Sequence, residues 1–166
     1  MNIEAFNLSN KKYDLLKTTC GSESWVKSML ENQSFESKNQ LLELAKSCWY
    51  NTIEADWMEA FLYHPEIGDM DSLREKYAQS KDISNSEQSG VNEAEERVLI
   101  ELASQNKAYK DIFGFIFIVF ATGKSAKQML DLLNSRINNT KDQEMKIAME
   151  EQWKITNLRL NNLISE

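Results

Sequence analysis

From Ser37 onward, Leu41, Leu42, Ala45, Cys48 and Trp49 recur at intervals of three and four. At about 100° per residue these positions share one face, so the spacing predicts an amphipathic helix over 37–52 with that face in the core. The same intervals place Val91, Ala94, Val98 and Leu102 on one side of a helix over 86–107. They place Ala148, Gln152, Ile155, Arg159 and Leu163 on one side of a last helix over 141–163. Read this way, the chain carries about eight helices, at 9–20, 22–31, 37–52, 54–63, 70–79, 86–107, 125–138 and 141–163. One proline and five glycines leave few breakers between them.

Several starts carry the spacing of a capping box, in which a Ser or Thr oxygen and a Glu or Gln three residues later satisfy the open N–H groups of the first turn. These are Ser37 with Gln40, Ser84 with Glu87, and Thr140 with Gln143. No repeat, low-complexity tract or linker divides the sequence, and 166 residues suit one core. The expectation is an all-α, single-domain bundle over 1–166. One run departs from the pattern: "DIFGFIFIVFATGKS", Asp111 to Ser125, is β-branched and aromatic, bounded by Gly114 and Gly123, with no second run to pair with. Either it continues as a core helix or its peptide groups find other partners, a polar ligand among them.

Composition narrows the function. A net charge of -7 without a block of like charges argues against nucleic acid as a partner, because phosphate binding rests on clustered Lys and Arg. No stretch approaches the ~20 apolar residues of a membrane span, and "MNIEAFNLSNKKYDLL" lacks the basic and apolar regions of a secretory signal. The ending "ISE" is not a peroxisomal tripeptide, so a cytoplasmic protein is expected. Cys20 and Cys48 have no C-x-x-C partner, which points to small buried side chains rather than a disulfide or thiolate metal site. With a single histidine, a zinc centre lacks ligands, and "TGKS" fails the phosphate-loop pattern because Ile118 stands where glycine is required.

Three places retain chemistry. The only histidine and the only proline are adjacent, in "HPEIGD". Pro65 biases His64 away from the helical region and ends the helix there, so His64 is either a general acid or base held at a helix end or simply a polar terminal residue. "SNSEQSG", Ser84 to Gly90, opens a helix, where Ser84 and Glu87 close a box and the free N–H groups also suit an anion. Arg159 emerges from the mostly apolar stripe of the last helix, which demands either an internal ion pair or a bound anion.

In order, Trp25, "LLELAKSCW" (Leu41 to Trp49), "DWMEAFLYHPEIGD" (Asp56 to Asp69), "SNSEQSG", "FGFIFIVFATGKSAKQML" (Phe113 to Leu130), "LLNSRINN" (Leu132 to Asn139) and "KITNLRLNNL" (Lys154 to Leu163) resemble the 2-oxo-4-hydroxy-4-carboxy-5-ureidoimidazoline (OHCU) decarboxylases over nearly the whole chain. That family is all-α, often dimeric, and works without metal or organic cofactor. It converts OHCU to (S)-allantoin and carbon dioxide, the third step of urate breakdown. The resemblance implies a catalytic pair, His64 and Glu87. It implies a substrate-binding set of Pro65, Ser84, Asn85, Ser86, Glu87, Gln88, Phe117, Ile118, Val119, Phe120, Ala121 and Arg159, with an irregular apolar segment over 113–124 lining the site. It also implies a small-molecule ureido-imidazoline as substrate and a homodimer. The chain departs from many relatives at "QSF", Gln33 to Phe35, and at Glu66. The competing reading is a non-catalytic helical module that binds a ureide or a partner.

Overall fold

The computed structural model of the chain describes residues 1–65, 69–77 and 88–165; of residues 88–92 and 94 it describes the backbone alone. The described residues are all-helical, as the spacing predicts, with nine helices, one more than expected, and no strand: α1 (Ile3–Leu8), α2 (Lys12–Cys20), α3 (Glu23–Leu30), α4 (Lys38–Tyr50), α5 (Glu54–Leu62), α6 (Met70–Tyr77), α7 (Gln88–Phe113), α8 (Ala126–Arg136) and α9 (Lys141–Leu163). The addition is α1. Asn2 Oδ1 accepts the Ala5 N–H at 2.8 Å to start it, and its six residues are too few to display a periodic stripe.

The predicted caps form where the structure is described. The Gln40 N–H donates to Ser37 Oγ at 3.2 Å, although the Gln40 side chain returns to the N–H of Glu36 rather than to that of Ser37. Thr140 and Gln143 close a full box, at 3.3 and 3.0 Å. Ser125 and Gln128 close a further one at the start of α8, which the spacing analysis passed over. The Ser84–Glu87 box lies outside the described residues.

The chain divides into two compact units. The first comprises Met1–His64, Ile118–Phe120 and Met145–Glu166. Its core gathers Phe6, Leu16, Trp25, Met29, Leu41, Ala45, Trp49, Leu160 and Ile164. Each buried side chain of this size removes apolar surface worth about 1.5–3 kcal/mol. Both buried indoles are satisfied: Trp25 Nε1–H donates to Ala45 O at 2.9 Å and Trp49 Nε1–H to Met149 O at 3.1 Å. Leu42 and Cys48, expected on the buried face of α4, sit at its margin and are only partly buried. Cys20 is buried as expected.

Gly21 ends α2 in the left-handed region at φ +89°, and a Cβ there would come within 2.6 Å of Tyr63 Cγ. The contact sets the chain immediately before His64. Gly21→Ala is expected to destabilise the protein by roughly 2–4 kcal/mol, from left-handed strain plus overpacking, read as a lower urea midpoint. An unchanged midpoint would show that Tyr63 yields without cost.

The second unit comprises Pro65–Phe117 and Ala121–Glu144. Here α7 packs along α8, with Leu99, Leu102, Tyr109, Phe113, Leu130 and Leu133 inside. Val98 is partly buried, and the side chains of Val91 and Ala94 lie outside the described set. This unit also holds a polar cluster on Glu144, which is fully buried. It accepts hydrogen bonds from Arg136 Nε at 2.7 Å, Arg136 Nη2, the Tyr109 hydroxyl at 2.5 Å and Asn139 Nδ2 at 2.9 Å. The Arg136 guanidinium also lies over the Phe117 ring, 4.6 Å from its centroid.

The apolar run combines both of its predicted outcomes. Asp111, Ile112 and Phe113 continue α7 past its expected end at 107 and one residue into the expected irregular segment, until Gly114 at φ +81° donates its N–H to Lys110 O at 2.8 Å and stops the helix. From Gly114 to Ser125 the chain is irregular.

Candidate functional site

Helix α5 opens where the Ile53 N–H donates to Asp56 Oδ2 at 3.0 Å and closes with the His64 N–H donating to Phe61 O at 3.2 Å. Pro65 follows, so the backbone leaves the helix at the imidazole, as its sequence position predicts. The His64 ring is half-buried, and its Nε2 lies 2.6 Å from Oε1 of Gln152. The other end of that amide is engaged too: Gln152 Nε2 donates to Thr156 Oγ1 at 3.1 Å. Gln152 and Thr156 are both fully buried, four residues apart on one face of α9.

Burial is the largest influence on His64 and pulls its pKa below the ordinary imidazole value of 6.5. The positive charge of Arg159 acts in the same direction, and the bond to Gln152 opposes both. Burial and Arg159 thus both favour the neutral ring. Thr156 also touches the Cys20 thiol, whose pKa burial pushes up to about 11, so this sulfur stays protonated and unreactive.

Arg159 lies one turn beyond Thr156 on α9, half-buried, and burial lowers its pKa. Among the described residues it pairs with no carboxylate, so the expected internal ion pair is not formed there, and Nη1 donates to Thr19 O at 3.2 Å. A backbone carbonyl at the end of α2 supplies partial rather than full negative charge, so the cation keeps capacity for an anionic group.

The apolar segment reaches the same unit through Ile118, Val119 and Phe120. The Phe120 N–H donates to Glu151 Oε2 at 2.6 Å, while Lys154 Nζ donates to Glu151 Oε1. This answers in part where the peptide groups of the run go: one is held by a carboxylate that precedes Gln152 in sequence. Ile118 is buried, Val119 and Phe120 partly so.

Of the residues implied as functional, His64, Ile118, Val119, Phe120 and Arg159 thus belong to one compact unit. Pro65, Phe117 and Ala121 fall in the other. Ser84, Asn85, Ser86 and Glu87 lie outside the described residues, and Gln88 is the first residue of α7, its side chain not described. Sequence reasoning placed Gln152 on the stripe of α9 without giving it a role, and it passed over Glu151 and Thr156. A polar residue inside an apolar stripe was the available signal for Gln152. No group of three or more His, Cys, Asp or Glu side chains among the described residues could hold a metal ion, and no described helix is long and apolar enough to cross a membrane.

Comparison with known proteins adds independent findings. The family model described as OHCU decarboxylase matches residues 9–161. A uric acid degradation bifunctional protein of Arabidopsis thaliana is 38% identical over 156 residues, covering 92% of this chain, and the chain spans 47%, about half, of that relative's length. A crystal structure of an OHCU decarboxylase in the presence of (S)-allantoin superposes with a TM-score of 0.73 at 34% identity, covering 92% of this chain and 99% of that one. A crystal structure of an (S)-allantoin synthase shares the fold, with a TM-score of 0.71 at 20% identity over 99% of this chain and 54% of that one. The family match spans the helix-end histidine, the apolar segment and the arginine of α9 together, and the chain therefore belongs to the OHCU decarboxylase family.

Proposed function

We propose that the protein decarboxylates OHCU to (S)-allantoin and carbon dioxide, in the cytoplasm, as a homodimer of single-domain chains, and without metal or organic cofactor. The observation that carries this reading is a half-buried His64 bonded to a buried amide on α9, its pKa lowered by burial, with the Arg159 cation on the same helix. Membership of the family supports the substrate class, as does the neighbouring crystal structure obtained with (S)-allantoin.

The substrate needs little from the protein in the way of electron storage. Its reacting carbon bears a carboxylate and a hydroxyl beside a carbon doubly bonded to nitrogen. When the bond to the carboxylate breaks, its electron pair moves into the adjacent C=N, carbon dioxide leaves, and a proton added to one face of the resulting ene intermediate sets the S configuration. That internal sink replaces the pyridoxal or thiamine that many decarboxylations require. His64 and Glu87 orient and polarise the hydroxyl, while Arg159 holds a substrate oxygen or carboxylate. Gln88 and groups of the segment Phe117 to Ala121 hold the ureide and ring oxygens, and Pro65, Ser84, Asn85 and Ser86 are further substrate-binding residues.

The test is circular dichroism of urate converted in situ by urate oxidase and hydroxyisourate hydrolase, with and without this protein. Rapid growth of an (S)-allantoin signal in its presence is expected. Slow, racemic product in both samples would overturn the reading in favour of a non-catalytic ureide-binding module.

A pH dependence follows from the same geometry. Because burial and Arg159 depress the His64 pKa, the neutral ring survives to lower pH than in a free histidine. The acid limb of kcat/KM is therefore expected below pH 6.5, and Arg159→Met should move it upward by removing a charge that opposes protonation. An acid limb above pH 6.5 in the unmodified protein would contradict a desolvated base. Linkage has the same sign: the stability contribution of the neutral ring is present above the unfolded-state pKa and is lost as pH falls.

A further inference from the structure

We propose that Gln152 is a positioning residue for the reaction: its amide, oriented by Thr156, fixes His64 as the Nε2–H tautomer and leaves Nδ1 as the nitrogen that exchanges a proton with substrate. The tautomer follows from donor and acceptor arithmetic. Gln152 Nε2 is placed as donor to Thr156 Oγ1 at 3.1 Å, and in that orientation the amide presents its oxygen to His64 at 2.6 Å. A carboxamide oxygen only accepts, and the facing ring nitrogen must therefore carry hydrogen. A neutral imidazole has one N–H, and the lone pair is left on Nδ1. The opposite tautomer would set two lone pairs against each other at 2.6 Å unless the amide reversed.

The choice of an amide has its own consequence. A carboxylate at 152 would orient the ring equally well but would stabilise the imidazolium and remove the base at neutral pH. Gln152 orients without adding charge, and Arg159, on the same helix, acts against protonation. Among the described residues, Lys17 of α2 also lies near this end of α5: its Nζ is 4.9 Å from the centroid of the adjacent Tyr63 ring and is paired with Glu59 at 2.9 Å and with Glu23 at 3.4 Å. Both Gln152 and Thr156 are fully buried, so water does not compete for the amide and its orientation holds.

The proton-handling role of Nδ1 rests on the proposed function, but the tautomer does not, and the test separates them. This chain has one histidine, so nitrogen-15 NMR of the full-length labelled protein reports on His64 alone. The expected spectrum above the titration midpoint has Nε2 in the protonated range and Nδ1 in the lone-pair range. Gln152→Leu should give mixed tautomers and lower kcat by roughly 10²-fold with an unchanged far-UV spectrum. Gln152→Glu keeps the shape of the side chain and should raise the NMR titration midpoint of His64 by roughly 1–3 pH units, with the acid limb of the rate moving in step. A wild-type spectrum of the Nδ1–H form, or tautomer populations that Gln152→Leu leaves unchanged, would overturn the inference. Because this readout needs no turnover, it decides the tautomer whatever the allantoin assay returns.

Discussion

His64→Asn is expected to lower turnover by roughly 10²–10⁴-fold, the range that a positioned acid or base contributes, while the chain stays folded. The expectation of folding comes from where the side chain sits. His64 lies past the last turn of α5, half-buried, and outside the cluster of Trp25, Trp49, Leu41 and Leu160 that holds its unit together. What the fold loses is the donor to Gln152 Oε1, a buried acceptor whose desolvation costs about 1–3 kcal/mol. That is a fraction of the ~5–15 kcal/mol by which domains of this kind are stable. Steady-state kinetics by circular dichroism, with a urea titration of the same preparation, distinguishes the outcomes. Activity that falls only as far as the folded fraction falls would mark His64 as a structural helix-end residue.

The second large effect is on stability and arises in the other compact unit. Glu144→Leu withdraws the carboxylate shared by two nitrogens of Arg136, the Tyr109 hydroxyl and the Asn139 amide, in an environment closed to water. Breaking one member out of a buried charge network costs about 3–5 kcal/mol, chiefly because the remaining charge has been desolvated. The urea midpoint should fall accordingly. The cause can be separated from simple loss of packing by a double-mutant cycle with Arg136→Met: if the remaining buried cation is responsible, the double variant is more stable than Glu144→Leu alone. Tyr109→Phe removes one hydrogen bond and no charge, so its cost should be nearer 1 kcal/mol. A double variant no better than the single one would place the cost in the cavity rather than in the charge.

The same cluster bears on the apolar segment. Arg136 covers the Phe117 ring, and Tyr109 meets Phe117 edge-on with centroids 5.1 Å apart. Three residues later, the Phe120 N–H is held by Glu151. A run that by composition resembles an unpaired strand is thus fixed by side chains from α7, α8 and α9, with its aromatic rings and its peptide groups anchored separately.

Much of this was readable from the order of residues. The 3.6-residue recurrence of Leu41, Ala45 and Trp49 located α4 and its buried face. Capping oxygens at Ser37 and Thr140 marked helix starts to within a residue, and Pro65 marked the end of the helix that carries His64. These features are local: hydrogen bonds and steric limits acting over three or four residues decide them, so the sequence alone carries the information. Alpha-1 escaped because six residues do not show a period.

The sequence by itself also determined that His64 would stand at a helix end and that Arg159 would emerge from an apolar stripe. Only the tertiary structure decided what each would meet. Gln152 faces His64 across 88 positions of chain, Thr19 O accepts from Arg159 across 140, and Glu151 takes the Phe120 N–H across 31. Such pairs depend on how helices pack and on which rotamer each side chain takes in the resulting space, and neither is encoded in any local pattern. A glutamine on a stripe is therefore unremarkable in the sequence and becomes the partner of the only imidazole once the fold brings His64 to α9 within one unit.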